Sequence, residues 1–215
     1  MPVTIKKIDP GEIEAESFRM IAEELGPHNF DDSTFRIVQR VIHATGDFSF
    51  AENLRFSPDA LECGIAALRQ GKNILTDVTM VATGISKPLL KQFNSRVICS
   101  IADEKVRLAA LEKNSTRAET AIEQDMLENI GIIAIGNAPT ALIKIVEMLA
   151  AAPQSDCPLV IGVPVGFVNA AESKALLHET TLPHITSLGR KGGSPVAAAI
   201  VNALIRLAGE SWQND

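Results

Sequence analysis

Short apolar runs bounded by glycine, proline or polar residues recur through the middle and C-terminal parts of the chain. Runs of this length without polar alternation are typical of strands that are buried on both faces of a parallel sheet. We predict five such strands, at residues 73–76, 96–100, 131–135, 159–163 and 184–188. Between them, apolar residues recur every three or four positions, which indicates helices. Strands that alternate with helices predict an α/β protein, a three-layer α/β/α sandwich around a five-stranded, mainly parallel sheet.

Helical spacing also governs the N-terminal part of the chain, before the first of these strands. We predict helices at 12–25, from 32 to the glycine at 46 and from 58 to 70, with a short extended piece at 54–56. The chain has 215 residues, of which 46% are hydrophobic, and this length supports one sizeable core. No repeat or linker interrupts it. We therefore expect residues 1–215 to form a single domain with an N-terminal helical annex.

Composition narrows the range of partners. The net charge is −6, aromatic residues make up 4% and tyrosine is absent, so neither a basic stripe nor base-stacking platforms indicate nucleic-acid binding. No apolar stretch reaches the roughly 18 residues of a membrane helix, so no membrane partner is expected. The odd number of widely spaced cysteines argues against a disulfide framework. A reducing, cytoplasmic location is therefore expected.

The second predicted helix carries the most suggestive polar face of the chain. Arg36, Arg40, His43 and Asp47 follow one another at steps of four, three and four, away from the apolar stripe. Gly46 is suited to the left-handed residue that closes a helix. His43 then lies in the last turn, where the helix dipole favours a protonated imidazole. Beside an arginine, such a histidine suits a proton donor for an anionic ligand, although an ordinary surface or core histidine explains the same pattern.

The segments that follow the predicted strands are a second source of candidate residues, because open parallel sheets bind ligands beyond the carboxyl ends of their strands. After the fifth strand, segment 189–195 combines glycines, two basic residues and a helix start at Ser194. Glycines permit close backbone approach, and a helix start can hold an anion through its free N–H groups. A glycine-rich turn before an ordinary helix is the alternative. Arg117, at another helix start, could bind a carboxylate or be a surface arginine.

Several well-known sequence motifs are absent. The chain has no GxGxxG after its first strand, no GxxxxGK[ST] and no GxSxG. The four histidines show no metal-ligand spacing with cysteines or carboxylates. These absences argue against a dinucleotide fingerprint, a phosphate-binding P-loop and a serine-hydrolase elbow. We predict no metal and no cofactor.

Short segments distributed over nearly the whole chain form a recognisable series. They are Arg40-Val-Ile-His43, Asp47-Phe48, Ala51-Glu52-Asn53, 74–78 with Met80 and Gly84, Cys99 with Asp103, Thr116-Arg117, 136–139, Gly162 with 164–168, 192–194 and Asn202-Ala-Leu. Taken in this order, they resemble the precorrin-8X methylmutase (precorrin isomerase) family of corrin biosynthesis. The sequence departs from the family pattern at Ala118, where a serine is usual, and at Ser49, which is often acidic.

The resemblance implies a flavodoxin-like fold, a homodimer with active sites near the subunit interface, and a tetrapyrrole substrate. It implies an isomerase that moves a methyl group between adjacent ring carbons, giving hydrogenobyrinate, or cobyrinate when cobalt is present. It also implies that His43 is the catalytic proton donor and acceptor and that Ser17 and Arg40 bind substrate. Such a reaction needs no nucleophile, metal or redox cofactor.

The predicted positive and N–H groups fit this expectation, because the substrate is a flat macrocycle fringed with carboxylates. In an acidic chain these groups must be concentrated locally, and we expect Arg117, Gly192, Gly193 and Ser194 to bind substrate together with Arg40. Two other functions stay open at this point. One is a non-catalytic tetrapyrrole carrier. The other is an unrelated nucleotide or sugar-phosphate binder that uses segment 189–194.

Overall fold

The computed structural model describes residues 7–126, 129–150 and 157–212, and in this part of the chain helices cover both faces of one six-stranded sheet. The strands are β1 (Leu54–Phe56), β2 (Asn73–Thr76), β3 (Val97–Ile98), β4 (Ile130–Ile135), β5 (Leu159–Gly162) and β6 (His184–Ser187). The helices are α1 (Ile13–Leu25), α2 (Asp32–Thr45), α3 (Phe50–Asn53), α4 (Ala60–Arg69), α5 (Thr79–Gly84), α6 (Lys87–Leu90), α7 (Glu104–Lys113), α8 (Arg117–Asp125), α9 (Pro139–Ala150), α10 (Ala170–His178) and α11 (Ser194–Trp212), with a 3-10 turn at Lys91–Phe93.

The strand order in the sheet is β1-β6-β5-β4-β2-β3, and all neighbours are parallel except β1 and β6. Counting only the parallel strands, this is the 2-1-3-4-5 order of flavodoxin-like folds. The α/β/α sandwich is therefore confirmed, but the sheet has six strands where the sequence predicts five. The extra strand, β1, has only three residues, and pairing with β6 rather than any periodicity of its own makes it a strand.

The sheet separates two hydrophobic cores. Residues Ile132 and Ala134 of β4 belong to one core, whereas the adjacent Ile133 and Ile135 belong to the other. Successive side chains of a strand point to opposite faces, so a strand covered on both sides must be apolar throughout. Helices α2, α4, α5 and α11 contribute buried residues to the first core, and α8, α9 and α10 to the second.

Helix α2 begins and ends through local sequence signals. Asp31 is the N-cap, and its carboxylate accepts the backbone N–H groups of Ser33 and Thr34, both at 3.0 Å. At the other end Gly46 adopts φ 64° and donates its N–H to Ile42 O at 2.7 Å. The predicted glycine stop is thus confirmed.

Two ion pairs show that α2 and α11 run antiparallel along each other. Arg36 near the start of α2 pairs with Glu210 near the end of α11, and Asp47 just after α2 pairs with Lys191 just before α11. The end of α2 is thereby placed at the carboxyl edge of the sheet. Among the described residues, no helix combines the length and apolarity that crossing a membrane would require.

Candidate active site

His43 is exposed in the last turn of α2, beside a phenylalanine of α1. The rings of His43 and Phe18 form a T-shaped contact, with centroids 5.2 Å apart and planes at 78°. The guanidinium carbon of Arg40 lies 4.7 Å from the centroid of the same Phe18 ring, within cation–π distance. Phe18 therefore contacts both the histidine and the arginine that precedes it by one helical turn, and fixes their relative positions.

Arg40 also makes an ion pair across the α1–α2 contact. Its side chain is only 15% exposed, and Nη1 donates to Glu14 Oε1 at 2.8 Å. The other oxygen of Glu14 lies 4.0 Å from Arg206 Nη2. The hydrogen bond from Arg40 lowers the pKa of the Glu14 carboxyl, partial burial opposes this, and the charges of Arg40, Arg206 and His43 lower it further. Glu14 thus stays ionised between two arginines.

Ser17 lies on α1 between Glu14 and Phe18. Its hydroxyl donates to the carbonyl of Ile13 at 2.7 Å, a bond within the helix that leaves the oxygen lone pairs available to a further donor. Because α1 packs against α2, the structure brings the helices that carry Ser17, Arg40 and His43 together.

The loop between β6 and α11 is held by several hydrogen bonds. The carbonyl of Lys191 accepts from Ser187 Oγ at 3.0 Å and from Lys174 Nζ at 2.6 Å. The Gly193 N–H donates to Val163 O at 2.8 Å, so this N–H is already used and is not available to an anion. The loop is therefore a rigid turn, and the anion-binding capacity left to it rests on its side chains and the start of α11.

Glycine at position 192 is explained by close packing. A Cβ atom at Gly192 would lie 2.2 Å from Val163 O and 3.0 Å from Pro164 O, and both are backbone atoms. Only glycine allows the loop to approach the end of β5 this closely. Ser194 is buried at the start of α11, with its backbone against Gly136 at the end of β4.

Lys191 connects this loop to α2. Its ammonium lies 2.7 Å from Asp47 Oδ2 and 3.0 Å from Ser49 Oγ. The hydrogen bond from Lys191, with those from Ser49, lowers the pKa of the Asp47 carboxyl to about 2. The end of the histidine helix and the glycine-rich loop are therefore joined into one edge of the molecule.

Lys174 of α10 stabilises the same loop by donating a hydrogen bond to the Lys191 carbonyl. The sequence analysis did not identify this residue. Its side chain is fully buried in α10, and burial lowers the pKa of the ammonium to about 8. A lysine between alanine, serine and leucine in a helix gives no signal of burial, since lysine is almost always exposed. Only the packing of α10 beside β6 shows that this ammonium reaches the carbonyl of Lys191.

Asp77 is a second residue to which the sequence analysis assigned no role of its own, although it lies within segment 74–78 of the family series. It follows β2 directly, is completely buried, and accepts the N–H groups of Gly136, Asn137 and Ala138 at 3.1, 2.8 and 2.7 Å. Burial raises the pKa of this carboxyl, and the three N–H bonds oppose the rise. The ends of β2 and β4 flank the topological switch point of the sheet, where flavodoxin-like proteins bind phosphate. In this chain the N–H groups at that point are already hydrogen-bonded to the carboxylate of Asp77.

Arg117 lies on the other face of the sheet from His43. It is the first residue of α8, exposed, next to an N-cap Thr116 that forms a capping box with Glu119. Thr116 Oγ1 lies 3.0 Å from Thr140 Oγ1 at the start of α9. Arg117 therefore lies at the same carboxyl edge as His43, but in the helical layer on the opposite face of the sheet. Its predicted role in substrate binding stays a prediction.

Exposed apolar side chains surround this edge. Phe167 is 82% exposed and Val168 78% exposed in the loop after β5, and Met80 of α5 is 70% exposed. The guanidinium carbon of Arg190 lies 5.3 Å from the Phe167 ring centroid. A groove of about 520 Å³ runs beside Met80, and it is lined by Thr79, Met80, Thr83, Gly84, Ser194, Pro195 and Ala198. Apolar surface next to cationic groups suits a flat, carboxylate-bearing ligand.

The chemistry available here is proton transfer and anion binding. His43, Arg40 and Ser17 lie on the α1–α2 side of the edge, Arg206 of α11 lies beside Glu14, and further cations lie in the loops. Within the described residues, no group of three or more His, Cys, Asp or Glu side chains is placed to hold a metal ion.

Comparisons with known proteins give a consistent result. A family model described as precorrin-8X methylmutase matches residues 12–207. A cobalt-precorrin-8 methylmutase from Priestia megaterium is 44% identical over 208 residues, covering 96% of this chain and 91% of that protein. A precorrin-8X methylmutase from Pseudomonas aeruginosa is 43% identical over 194 residues, covering 88% of this chain and 91% of that protein.

A solved structure agrees with these sequence matches. The crystal structure of a precorrin-8X methylmutase from Thermus thermophilus superposes with a TM-score of 0.83 at 40% identity. The match covers 93% of this chain and 98% of that chain. The sequence matches and the structural match therefore each extend over most of the chain.

Proposed function

This chain belongs to the precorrin-8X methylmutase family, and we propose that it performs the family's methyl shift at a site built around His43. The reaction is an isomerisation in cobalamin biosynthesis, in which precorrin-8X or cobalt-precorrin-8 gives hydrogenobyrinate or cobyrinate. The observation that carries the site assignment is the Phe18 ring, which contacts both Arg40 and His43 at the carboxyl edge of the sheet. The family match over residues 12–207 also supports the prediction of a single domain.

We propose that His43 supplies and recovers one proton. As an imidazolium it donates a proton to the macrocycle, and the added proton withdraws electron density from the conjugated ring system, which favours migration of the methyl group. The bond from carbon to methyl breaks at one ring carbon and forms at its neighbour, and a proton then returns to His43. Substrate and product are isomers because nothing is gained or lost. The exposure of His43 lets a ligand too large for an enclosed cavity reach the imidazole.

Arg40 and Ser17 are proposed to hold the substrate above the histidine. Arg40 is one helical turn before His43, so a carboxylate bound to its guanidinium brings the ring system close to the imidazole. The sequence predicts that Gly192, Gly193 and Ser194 bind substrate. Because the Gly193 N–H is already bonded to Val163 O, we propose that this segment instead shapes the edge that receives the macrocycle. The start of α11 adds a favourable dipole there.

Cobalt is part of the substrate in one branch of this chemistry. Relatives named for the cobalt-containing and the metal-free substrate are 44% and 43% identical to this chain, a difference too small to choose between them. Both substrates are therefore to be tested side by side.

We further propose a homodimer in the cytoplasm. The exposed Phe167 and Val168 at the carboxyl edge are apolar side chains that a second subunit would cover, near the proposed site. Sedimentation of wild type and of a Val168→Asp variant tests this, since a dimer contact at this residue requires the variant to dissociate more readily.

The deciding experiment follows the visible absorption of purified protein mixed with excess precorrin-8X and, separately, with cobalt-precorrin-8. Wild type is expected to convert one of them to the product chromophore over many equivalents, and His43→Ala to leave it unchanged. His28→Ala is the control, because His28 is an exposed histidine before the start of α2. Unchanged turnover in His43→Ala would show that the catalytic assignment is wrong.

The same measurement separates the enzyme from a non-catalytic carrier. A carrier changes the spectrum of at most one equivalent of tetrapyrrole per protein, by binding it. An isomerase continues to convert substrate beyond one equivalent. Binding of both substrates without conversion of either would favour the carrier.

A further inference from the structure

A small cleft lies next to Phe18, between the two antiparallel helices α2 and α11. Its volume is about 130 Å³, and it is lined by Phe18, Arg36, Gln39, Arg40, Ala203 and Arg206. Three of the six lining side chains are arginines. Phe18 thus borders the cleft and also contacts His43.

The charges at this cleft do not cancel. Glu210 pairs with Arg36 through two hydrogen bonds of 2.5 Å, and Glu14 pairs with Arg40 at 2.8 Å. Three guanidinium groups against two carboxylates leave a local charge of +1, in a chain whose net charge is −6. Arg206 is 40% exposed and lies 4.0 Å from the nearer Glu14 oxygen, and its charge also lowers the pKa of the Glu210 carboxyl. A positive excess in an acidic chain indicates an anionic ligand.

The volume of the cleft limits what that ligand can insert. Pockets that enclose whole drug-sized ligands measure roughly 300–1,000 Å³. At about 130 Å³ the cleft has room for roughly four water molecules at about 30 Å³ each, which suits one short carboxylate side arm but not a macrocycle. The ring system must then lie outside the cleft, on the side where His43 is exposed.

Glu14 shows how a carboxylate sits between the two arginines. Its oxygens face Arg40 at 2.8 Å and Arg206 at 4.0 Å, and its pKa is lowered so that it is anionic. It comes from α1, which packs against α2 at the border of the cleft. A ligand carboxylate that binds Arg40 must therefore displace Glu14 or share the arginines with it.

We propose that Arg206 and Arg40 together bind one peripheral carboxylate of the substrate in this cleft, and that Glu14 occupies the arginines until the substrate arrives. This inference rests on the proposed function, since the side arm belongs to the tetrapyrrole. Arg206 is then a specificity-determining residue that anchors the macrocycle edge. Glu14 opposes binding, because its carboxylate competes for the same guanidinium groups.

Steady-state kinetics test this proposal with two variants whose KM values are expected to change in opposite directions. Arg206→Gln is expected to raise KM about tenfold with kcat within twofold, since a charge-assisted hydrogen bond to bound substrate is lost. Arg206→Lys should recover part of the loss. Glu14→Gln is expected to lower KM about threefold, because an uncharged amide competes less for the arginines. Arg107→Gln is the control, since Arg107 is an exposed arginine of α7 with a glutamate partner of its own.

Each result decides the proposal. An unchanged KM in Arg206→Gln, or a fall in kcat as large as the fall in kcat/KM, would overturn it, as would a raised KM in Glu14→Gln. If Arg206→Gln does not fold, the Glu14 variant still carries the test.

If wild type converts neither substrate, the proposed function fails by itself. Absorption titration with the tetrapyrrole then tests the cleft, because weaker binding by Arg206→Gln but not by Arg107→Gln requires no turnover.

Discussion

The ammonium of Lys191 lies 2.7 Å from the carboxylate of Asp47, and this pair joins the glycine-rich loop to the end of the histidine helix. The two residues are far apart in sequence and belong to segments that the fold brings to one edge of the sheet. The loop in turn is tied to the body of the protein by Lys174, Ser187 and Gly193. His43, one helical turn before Asp47, is therefore positioned by a chain of polar contacts that leads back to the sheet.

Removing the lysine of this pair should affect activity more than stability. In Lys191→Met we expect the free energy of unfolding to fall by no more than about 1 kcal/mol, because the side chains are 57% and 31% exposed. We expect turnover to fall at least about fivefold, since small displacements of a catalytic group cost much rate. Denaturant unfolding and the absorption assay measure the two effects.

A matched control exists on the other face of the protein. Lys113 pairs with Glu123 at 2.7 Å with side-chain exposures of 53% and 27%, so Lys113→Met removes an ion pair of the same kind. It should change stability to a similar extent and leave turnover at the wild-type level. Equal losses of turnover in both variants would contradict a positioning role for Lys191.

The parts of the fold that the sequence predicts well are those with strong periodicity or clear stop signals. Helix α2 ends at Gly46 as expected, and β4 is found within one residue of its predicted position. The strand β1 is different, because three residues carry too little pattern and only the partner strand β6 makes them a strand. Local sequence cannot encode a partner that lies more than a hundred residues away.

In the candidate site, too, local sequence predicts some relationships, whereas others depend on residues that are distant in the chain. His43 and Arg40 share a helix face, so their spacing alone places them together. The contacts that define the cleft are long-range, since Arg206 reaches Glu14 across two helices. Asp77 and Lys174 were missed for a related reason: a buried charge is recognised only from its partners, and all of those partners are backbone groups of distant loops.

Adding a methyl group at Gly192 should disrupt the loop. In Gly192→Ala the new Cβ would lie 2.2 Å from a backbone carbonyl that cannot move independently, so we expect a loss of about 3 kcal/mol or more in the free energy of unfolding. Gly189→Ala is the comparison: nothing lies within 4 Å of its Cβ position, and only its φ of +80° opposes alanine, at a cost of about 1 kcal/mol. Similar losses in the two variants would show that packing at Gly192 is not limiting.

Asp77 should be intolerant even of its closest isostere. In the wild type both carboxylate oxygens of Asp77 accept backbone N–H groups. Asparagine keeps one of these oxygens but replaces the other with an NH₂ group, which is itself a donor. At least one buried backbone N–H therefore loses its acceptor. We expect Asp77→Asn to lower the free energy of unfolding by about 2–4 kcal/mol. Asp59→Asn is the control, because Asp59 is exposed and makes no side-chain cap bond, and its change should stay within about 0.5 kcal/mol. A small effect at Asp77 would mean that water or rearrangement replaces the carboxylate.

A pH dependence of stability should arise at the opposite edge of the sheet, where His184 begins β6. This histidine is buried, its Nδ1 lies 2.8 Å from Leu182 O, and its Nε2 lies 3.3 Å from Nδ1 of His178. Burial lowers the pKa of His184, the bond to Leu182 opposes this, and the neighbouring His178 lowers it further. The folded protein therefore keeps the imidazole neutral at pH values where an exposed histidine takes up a proton.

The direction of the effect follows from proton linkage. As pH falls below the ordinary histidine pKa of about 6.5, the unfolded chain binds a proton at this position before the folded chain does, so folding stability decreases. The contribution is fully present above that pKa and is lost as pH falls toward the lowered pKa of the folded state. His184→Gln, which cannot titrate, should show a smaller decrease in the free energy of unfolding between pH 7.5 and 5.5 than wild type. Parallel slopes for wild type and His184→Gln would show that His184 titrates alike in both states.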